Sequence, residues 1–350
     1  NTIQAIGSDV GTPAGYDMMG IETIGIHTVS GDALVKNNNI TSTGVFAVEV
    51  KGTGAVTDNE LYAKVLTGDL AVDYIQDSGV LVVNNTPEME LNYILTNDTF
   101  YAYFDKQGEL RGEIKSDNLT FVGEFSNLVT EINIDVPIAL LSDGAVLNDM
   151  GINICSDNVT VIGFNFTGEN AGFGVYDSDN VVIRNNKVVI KNPTIDSNLC
   201  VEIFDSDNVL LYKNVFGLMI GDNNGTYANN IIYAENSNDL YIISNDMAAY
   251  LPPRDVNWTS GEVYSEGVSL EDCDNAILFN NRIVVMANND TTSEYATIYA
   301  LHITGDNATI FKNQIGVLEA PYGYALVIQV NNFNITENMI AAGENGSYAC

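Results

Sequence analysis

The stretch SDNVVIRNNKVVI, residues 178–190, decides how this chain is read. A small acidic turn (Ser178, Asp179, Asn180) leads into a short apolar run, an Asn-Asn corner and a second apolar run. Val and Ile dominate both runs, and apolar and polar residues alternate over a few positions, which is the period of a strand and not of a helix. The phrase recurs as SDNVLLYKNVFGL (206–218), SNDLYIISNDMAA (237–249), CDNAILFNNRIVV (273–285), GDNATIFKNQIGV (305–317) and NNFNITENMIAA (331–342). An earlier copy, SDNVTVIGFNFTG (156–168), has Phe164 where the others have Asn.

Marked at the second turn residue, the copies fall at 157, 179, 207, 238, 274, 306 and 331, so their spacing runs from 22 to 36 residues. A helical array would hold its period; short strands joined by turns, with the length variation gathered in one place per copy, describe an all-β fold, a coiled parallel β-solenoid. In stacked coils one position recurs every strand spacing, about 4.8 Å, so side chains of one column can hydrogen-bond along the stack. Asn186, Asn214, Asn245, Asn281, Asn313 and Asn338 fall in such a column. They are read as a structural ladder that satisfies turn backbone groups otherwise buried without partners.

These phrases resemble the right-handed parallel β-helix repeats of the NosD-like, pectate-lyase-shaped superfamily. The stretch LTNDTFYAYFDKQGELRGEIKSDNLTFVGEF (95–125) is similar, more narrowly, to adhesin-like surface proteins of methanogenic archaea. The resemblance implies a surface-exposed right-handed parallel β-helix and names no ligand.

Residues 22–61 carry the phrase independently, at offsets of about 275 to 280 residues: IETIGIHTVSGDALVKNNNI matches ATIYALHITGDNATIFKNQI, and FAVEVKGTGAVTDNEL matches LVIQVNNFNITENMI. Asn1, Asn38 and Asn59 extend the Asn column. Between the two series, Thr96-Asn97-Asp98-Thr99 offers a helix N-cap, followed by Phe100, Tyr103 and Phe104 at helical spacing. A short aromatic helix near 98–105 is therefore expected to cap an open solenoid end, whose unpaired edges otherwise invite aggregation. The expected organisation is 1–86 as the last coils of one module, 87–115 as linker and cap, and 116–350 as a second module, incomplete at its C-terminus. Either the polypeptide is longer, or open ends of separate copies complete one another head to tail.

Charge narrows the functional classes. With 13 Lys and Arg against 46 Asp and Glu, the net charge is −33, which argues against nucleic acid, whose binding needs basic side chains to displace counterions. No run of about 18 apolar residues occurs, so this segment is not expected to insert in a membrane. Cys155, Cys200, Cys273 and Cys350 lie at wide irregular spacings, without the pairs of a zinc ribbon, and read as buried free thiols. The N-glycosylation pattern occurs twelve times, at Asn39, Asn84, Asn97, Asn118, Asn158, Asn165, Asn224, Asn257, Asn289, Asn307, Asn334 and Asn345. Chance would give about five, so the excess points to N-linked glycans and an extracellular, cell-surface location.

Three features bear on chemistry. Catalysis of the pectate-lyase kind needs clustered acids with a basic partner, or paired carboxylates at a set separation; the scattered arginines and repeat-bound acids here do not suggest it, and no enzyme is expected. The turn column Asp157, Asp179, Asp207, Asp274, Asp306 stacks like charges that repel by roughly 0.9 kcal/mol at 4.8 Å in water. Ca²⁺ at Asp179 and Asp207 is the metal reading and solvated turns the favoured one; no cofactor is expected. Finally, the long insertion AAYLPPRDVNWTSGEVY (248–264) gathers Tyr250, Arg254, Trp258 and Tyr264 as a candidate binding loop. The leading expectation is a non-enzymatic glycosylated stalk, filament or adhesin that meets copies of itself end to end, or glycans or proteins of another cell. The alternative is a carbohydrate-binding or polysaccharide-cleaving protein that uses the Trp258 loop.

Overall fold

The computed structural model describes residues 1–6, 24–44, 46–63, 66–74, 79–87, 93–112, 114, 117–169, 171–191, 197–219, 228–251, 264–287, 297–319 and 322–343. These residues are mostly strand, in long parallel sheets, with few helices. The chain forms two compact units, Asn1–Lys106 with Arg111–Ile114 and Gln107–Leu110 with Lys115–Cys350.

In the second unit each copy of the phrase supplies two strands and the segment before it a third, and every strand pairs in parallel with its counterpart one copy away. The strands entering the acidic turn build an eight-stranded sheet: Glu131–Ile134, Gly151–Ile154, Gly172–Tyr176, Ser197–Phe204, Ala228–Glu235, Tyr264–Glu271, Thr297–Gly305 and Tyr322–Val330. A second stack runs from Thr160–Ile162 through Val182–Arg184, Leu210–Tyr212, Tyr241–Ile243, Ile277–Phe279 and Ala308–Phe311 to Phe333–Thr336. The third follows each Asn corner, from Asn165–Gly168 to Met339–Ala342. Two long strands, Asn118–Phe125 and then Ala139–Asn148, precede both of these stacks; they pair in parallel with each other, and the second pairs Ala139 with Thr160 and Val146 with Asn165.

Register converts the repeat into a core. Ile183, Leu211, Ile242, Leu278 and Ile310 are successive partners, each at most 1% exposed. Burying one such side chain stabilises the fold by about 1.5–3 kcal/mol, and the strands are too short to hold their place otherwise. The corners between strands demand left-handed backbone. Asn185, Lys213, Ser244, Asn280, Lys312 and Glu337 all have φ of 55–56°, and Asn180, Asn208, Asp239, Asn275 and Asn307 have φ of 53–60°. Asn and Asp tolerate that region better than other side-chain-bearing residues, which accounts for much of the Asn content of the phrase.

The first unit repeats the plan on a smaller scale. Thr2–Ala5, Asn39–Ser42 and Glu60–Tyr62 form one parallel stack; Ile26–Thr28, Val48–Val50 and Val72–Tyr74 a second; Asp32–Lys36, Thr53–Thr57 and Val80–Val83 a third. The aromatic helix is shorter than expected: Phe100–Tyr103, after a 3-10 turn at Asn97–Thr99. Phe100, Tyr101, Ala102, Tyr103 and Phe104 are all buried, so the segment has no solvent face of the amphipathic kind. In the structure it is part of the first unit, where Tyr101 packs on Phe46 at 6.3 Å between centroids and Lys106 and Arg111 stand over the Phe46 ring at 5.1 and 5.6 Å.

One glycine shows how tightly the turns stack. Gly305, at φ 120°, takes the place in its coil that serine or cysteine holds in earlier coils, and a Cβ there would lie 2.4 Å from the Cys273 carbonyl oxygen. Gly305→Ala is expected to cost about 1–3 kcal/mol, read as a lower thermal midpoint at unchanged far-UV circular dichroism; an unchanged midpoint would mean that the turn relaxes freely.

Candidate functional site

The Asn column is a continuous hydrogen-bonded file. Asn186, Asn214, Asn245, Asn281 and Asn313 are 1–2% exposed. The backbone N–H of each donates to Oδ1 of the next: Asn186 to Asn214 at 2.9 Å, Asn214 to Asn245 at 2.8 Å, Asn245 to Asn281 at 2.8 Å, Asn281 to Asn313 at 2.8 Å and Asn313 to Asn338 at 2.7 Å. Each Nδ2 donates back to a strand carbonyl of the preceding coil, such as Asn245 to Leu211 at 2.8 Å and Asn338 to Ile310 at 2.7 Å. Phe164 joins with its backbone alone, donating to Asn186 Oδ1 at 2.8 Å. In the first unit the file runs Asn1, Asn38, Asn59, then Asn85, and ends on the carboxylate of Asp69, which accepts the Asn85 backbone N–H at 2.9 Å and its Nδ2 at 2.6 Å. The sequence reading missed Asn85 and Asp69; Asn85 could have been found from VLVVNNT (80–86), which ends like ALVKNNN (33–39).

The acidic turns carry a second file of opposite sense. Asp157 Oδ1 accepts the Asp179 N–H at 2.8 Å, Asp179 accepts that of Asp207 at 2.9 Å, Asp207 that of Asn238 at 2.8 Å, and Asp274 that of Asp306 at 2.7 Å. Here each side chain reaches the backbone of the following coil. Asp179 and Asp207 thus have a partner for one oxygen in the turn itself, and among the described residues no group of three or more His, Cys, Asp or Glu side chains is placed to hold a metal. A third file, also missed in the sequence, lies between them: Ser178 N–H donates to Ser206 Oγ at 3.0 Å and Ser206 N–H to Ser237 Oγ at 3.1 Å, all fully buried. Cys273 continues that column, its thiol donating to the Glu271 carbonyl at 3.3 Å. Burial pushes the Cys200 and Cys273 thiols up to about 12, so they are inert packing groups. Cys155 is exposed, contrary to the expectation of a buried thiol, because it sits at the solvent side of its turn.

The outward side of the eight-stranded sheet has a different character. Tyr176 donates to Glu202 at 2.6 Å, Tyr233 to Glu235 at 2.9 Å and Glu271 at 3.3 Å, and Phe204 lies between the two tyrosine rings at 6.2 and 5.6 Å. Burial, then these carboxylates, raise both phenols above their ordinary value. Further along, Tyr299 stacks on Tyr324 at 5.4 Å and on His302 at 5.5 Å. His302 Nδ1 is 3.5 Å from the buried Glu266 carboxylate, a long contact that is an ion pair when the imidazole is protonated. Glu266 is the main influence lifting the His302 pKa above 6.5, against a smaller opposing effect of burial, with Glu271 adding to the rise. His27, in the matching strand of the first unit, contacts Glu49, which also faces Lys51 and Lys106 at 3.5 and 3.7 Å. Burial alone would raise the Glu49 pKa; His27 and the two lysines outweigh it and leave the carboxyl below its usual range.

The candidate binding loop is divided. Tyr250 is 38% exposed on Asp246–Leu251 in the third stack, whereas Tyr264 opens a strand of the eight-stranded sheet. Arg254 and Trp258 lie outside the described residues, as do the sequons at Asn224, Asn257, Asn289 and Asn345. Of the other sequons, Asn84, Asn118, Asn158, Asn307 and Asn334 are exposed and Asn39, Asn97 and Asn165 half-buried. No protein-family model matches the chain, and no curated protein matches it.

Two predictions follow from the geometry. Asn245→Asp keeps the acceptor but sets an anionic oxygen against the Leu211 carbonyl; it is expected to cost about 3 kcal/mol or more at neutral pH, a cost that shrinks as acid restores a donor, measured as thermal midpoints against the parent from pH 7.5 to 4.5. For His302 the protonated form is favoured in the folded state, so its contribution is fully present below the unfolded value near 6.5 and is lost as pH rises through the higher folded value. His302→Gln should therefore lower the midpoint more at acidic than at alkaline pH; an equal loss at both would contradict the ion pair.

Proposed function

We propose that this chain is a non-enzymatic, extracellular structural protein or adhesin built as a right-handed parallel β-helix. The observation that carries the proposal is the file of asparagines, present with the same bonding in both units and joined to a sequence repeat at about 275 to 280 residues. A fold whose every coil is bonded to the next by the same groups can be lengthened by copying coils, which suits a stalk or filament. The acidic surface supports the reading, since a net charge of −33 keeps neighbouring molecules solvated and apart. N-linked glycans at the exposed sequons belong to the same proposal, and end-to-end contact of copies or of tandem modules is its expected assembly.

Electron microscopy of native material checks this directly. Extended rods whose internal repeat is one module are expected, and glycosidase treatment should reduce the apparent mass of the isolated protein. Discrete particles without end-to-end contacts would remove the assembly, and turnover of a polysaccharide lost on substitution of surface acids would replace the structural role with an enzymatic one.

A further inference from the structure

The eight-stranded sheet holds buried polar groups that the hydrogen-bonded files do not use. Asn230, Glu266 and Tyr299 are successive register partners, and so are Tyr233, Ser269 and His302 three residues further on. The Tyr299 and His302 rings, which occupy both positions on one strand, lie 5.5 Å apart, so the two columns adjoin on the same side of the sheet. Asn230 is 7% exposed, Glu266 6% and Ser269 fully buried. Asn230 Oδ1, Ser269 Oγ and His302 Nδ1 have no hydrogen-bond partner, and the Glu266 carboxylate has His302 at 3.5 Å as its ion-pair neighbour. Leaving such groups unpaired costs about 1–3 kcal/mol each, more for a charge, so their persistence together points to a ligand and not to packing.

Their chemistry is one-sided. An amide oxygen and a carboxylate accept only, neutral histidine accepts at Nδ1 when Nε2 carries the proton, and a serine hydroxyl can accept as well. The unpaired Asn230 Oδ1 and the neutral His302 Nδ1 call for donors, and Ser269 Oγ can take one as well. None of the eight strands of this sheet contains a Lys or Arg, whereas Arg184, Lys187, Lys191 and Arg282 all lie on the third stack or on the strand before it. The neighbouring titratable groups are Glu266 and Glu271; Tyr299 stacks on Tyr324 and His302, and Tyr233 is the register partner of Ser269. Once His302 is neutral, the Glu266 carboxylate has no cationic side chain of this sheet beside it, and acceptors, an acid and aromatic faces together suit an organic cation.

We propose that Asn230, Glu266, Ser269 and His302 form a binding site for an alkylammonium group, carried by a polyamine or by a lysine side chain of a partner. The three N–H donors of a primary ammonium meet Asn230 Oδ1, Glu266 and Ser269 Oγ, while its methylene chain lies along the tyrosine rings. A metal ion fits less well, since Glu266 and His302 gain no third ligand of His, Cys, Asp or Glu type among the described residues.

The test is calorimetric titration of the whole protein with cadaverine, spermidine and the peptide acetyl-Gly-Lys-Gly-amide, with maltohexaose and cellohexaose as uncharged controls. It is run at about pH 8.5 to disfavour the protonated form of His302 and in about 150 mM NaCl to screen loose attraction to the acidic surface. One-site saturation by at least one ammonium probe is expected, weakened about tenfold or more by Glu266→Gln and about threefold or more by Ser269→Ala. Removing one charge from a surface of −33 would not produce a tenfold loss by screening alone. Ser269→Ala deletes a hydroxyl that bonds to nothing, so it folds and keeps the test decisive if Glu266→Gln does not. Binding of cadaverine or spermidine alone identifies a free amine, and binding of the peptide identifies a lysine side chain. No saturation by any ammonium probe, equal affinity in both variants, or binding of a hexaose alone would overturn the site and leave the structural role untouched.

Discussion

A strand that turns a corner inside a stack must bury the polar backbone of that corner, and the asparagine file is what makes this tolerable. Each corner residue before the file sits in the left-handed region, so its neighbour's N–H points along the stack toward the adjacent coil and away from its own strand. An Asn Oδ1 waits there, as Asn245 does for Asn214, and its Nδ2 returns a bond to the carbonyl of Leu211. Remove that side chain and at least two buried backbone groups lose partners together, a larger loss than one hydrogen bond. The apolar stacks of Ile183 and Leu211 supply the driving force, but these corners decide whether the stacks can form.

The acidic turns are bonded by the same economy. In the Asp157 to Asp207 column each carboxylate accepts a backbone N–H from the following repeat, so part of its charge is spread onto a peptide donor. Asp69 does the equivalent at the end of the first unit's file, where a carboxylate takes two donors from Asn85.

The sequence made the parallel strand pattern legible because the repeat phrase contains its own corners: Asn180 and Asn185 mark the left-handed turns on either side of Val182–Arg184. Asn85 and Asp69 were hidden because the coil that contains them replaces the usual turn with a 3-10 segment at Gly68–Ala71. The serine file was hidden because its members change identity, from Ser178 to Cys273, while keeping a buried group that can donate to a carbonyl two residues back. The Asn230, Glu266, Ser269 and His302 group could not be read at all. Its two columns are three residues apart on strands where Gly267 and Val268 are both buried, so strict alternation fails at that point and the pleat no longer predicts which side a residue faces.

Spacing carries one more constraint. The bonds of the asparagine file join residues 22, 28, 31, 36, 32 and 25 positions apart, and those of the acidic file repeat 22, 28, 31, 36 and 32 in the same coils. The segment between the two turns is therefore fixed in length, and all variation lies outside it. The two files also run in opposite senses: asparagine oxygens accept from the coil before, aspartate oxygens from the coil after. Each interior coil is thus bonded through side chains to both neighbours, and loss of part of a coil would strand acceptors on one side and donors on the other. Such a chain can change by whole coils, or by the length of the one unconstrained connection in each, and by little else.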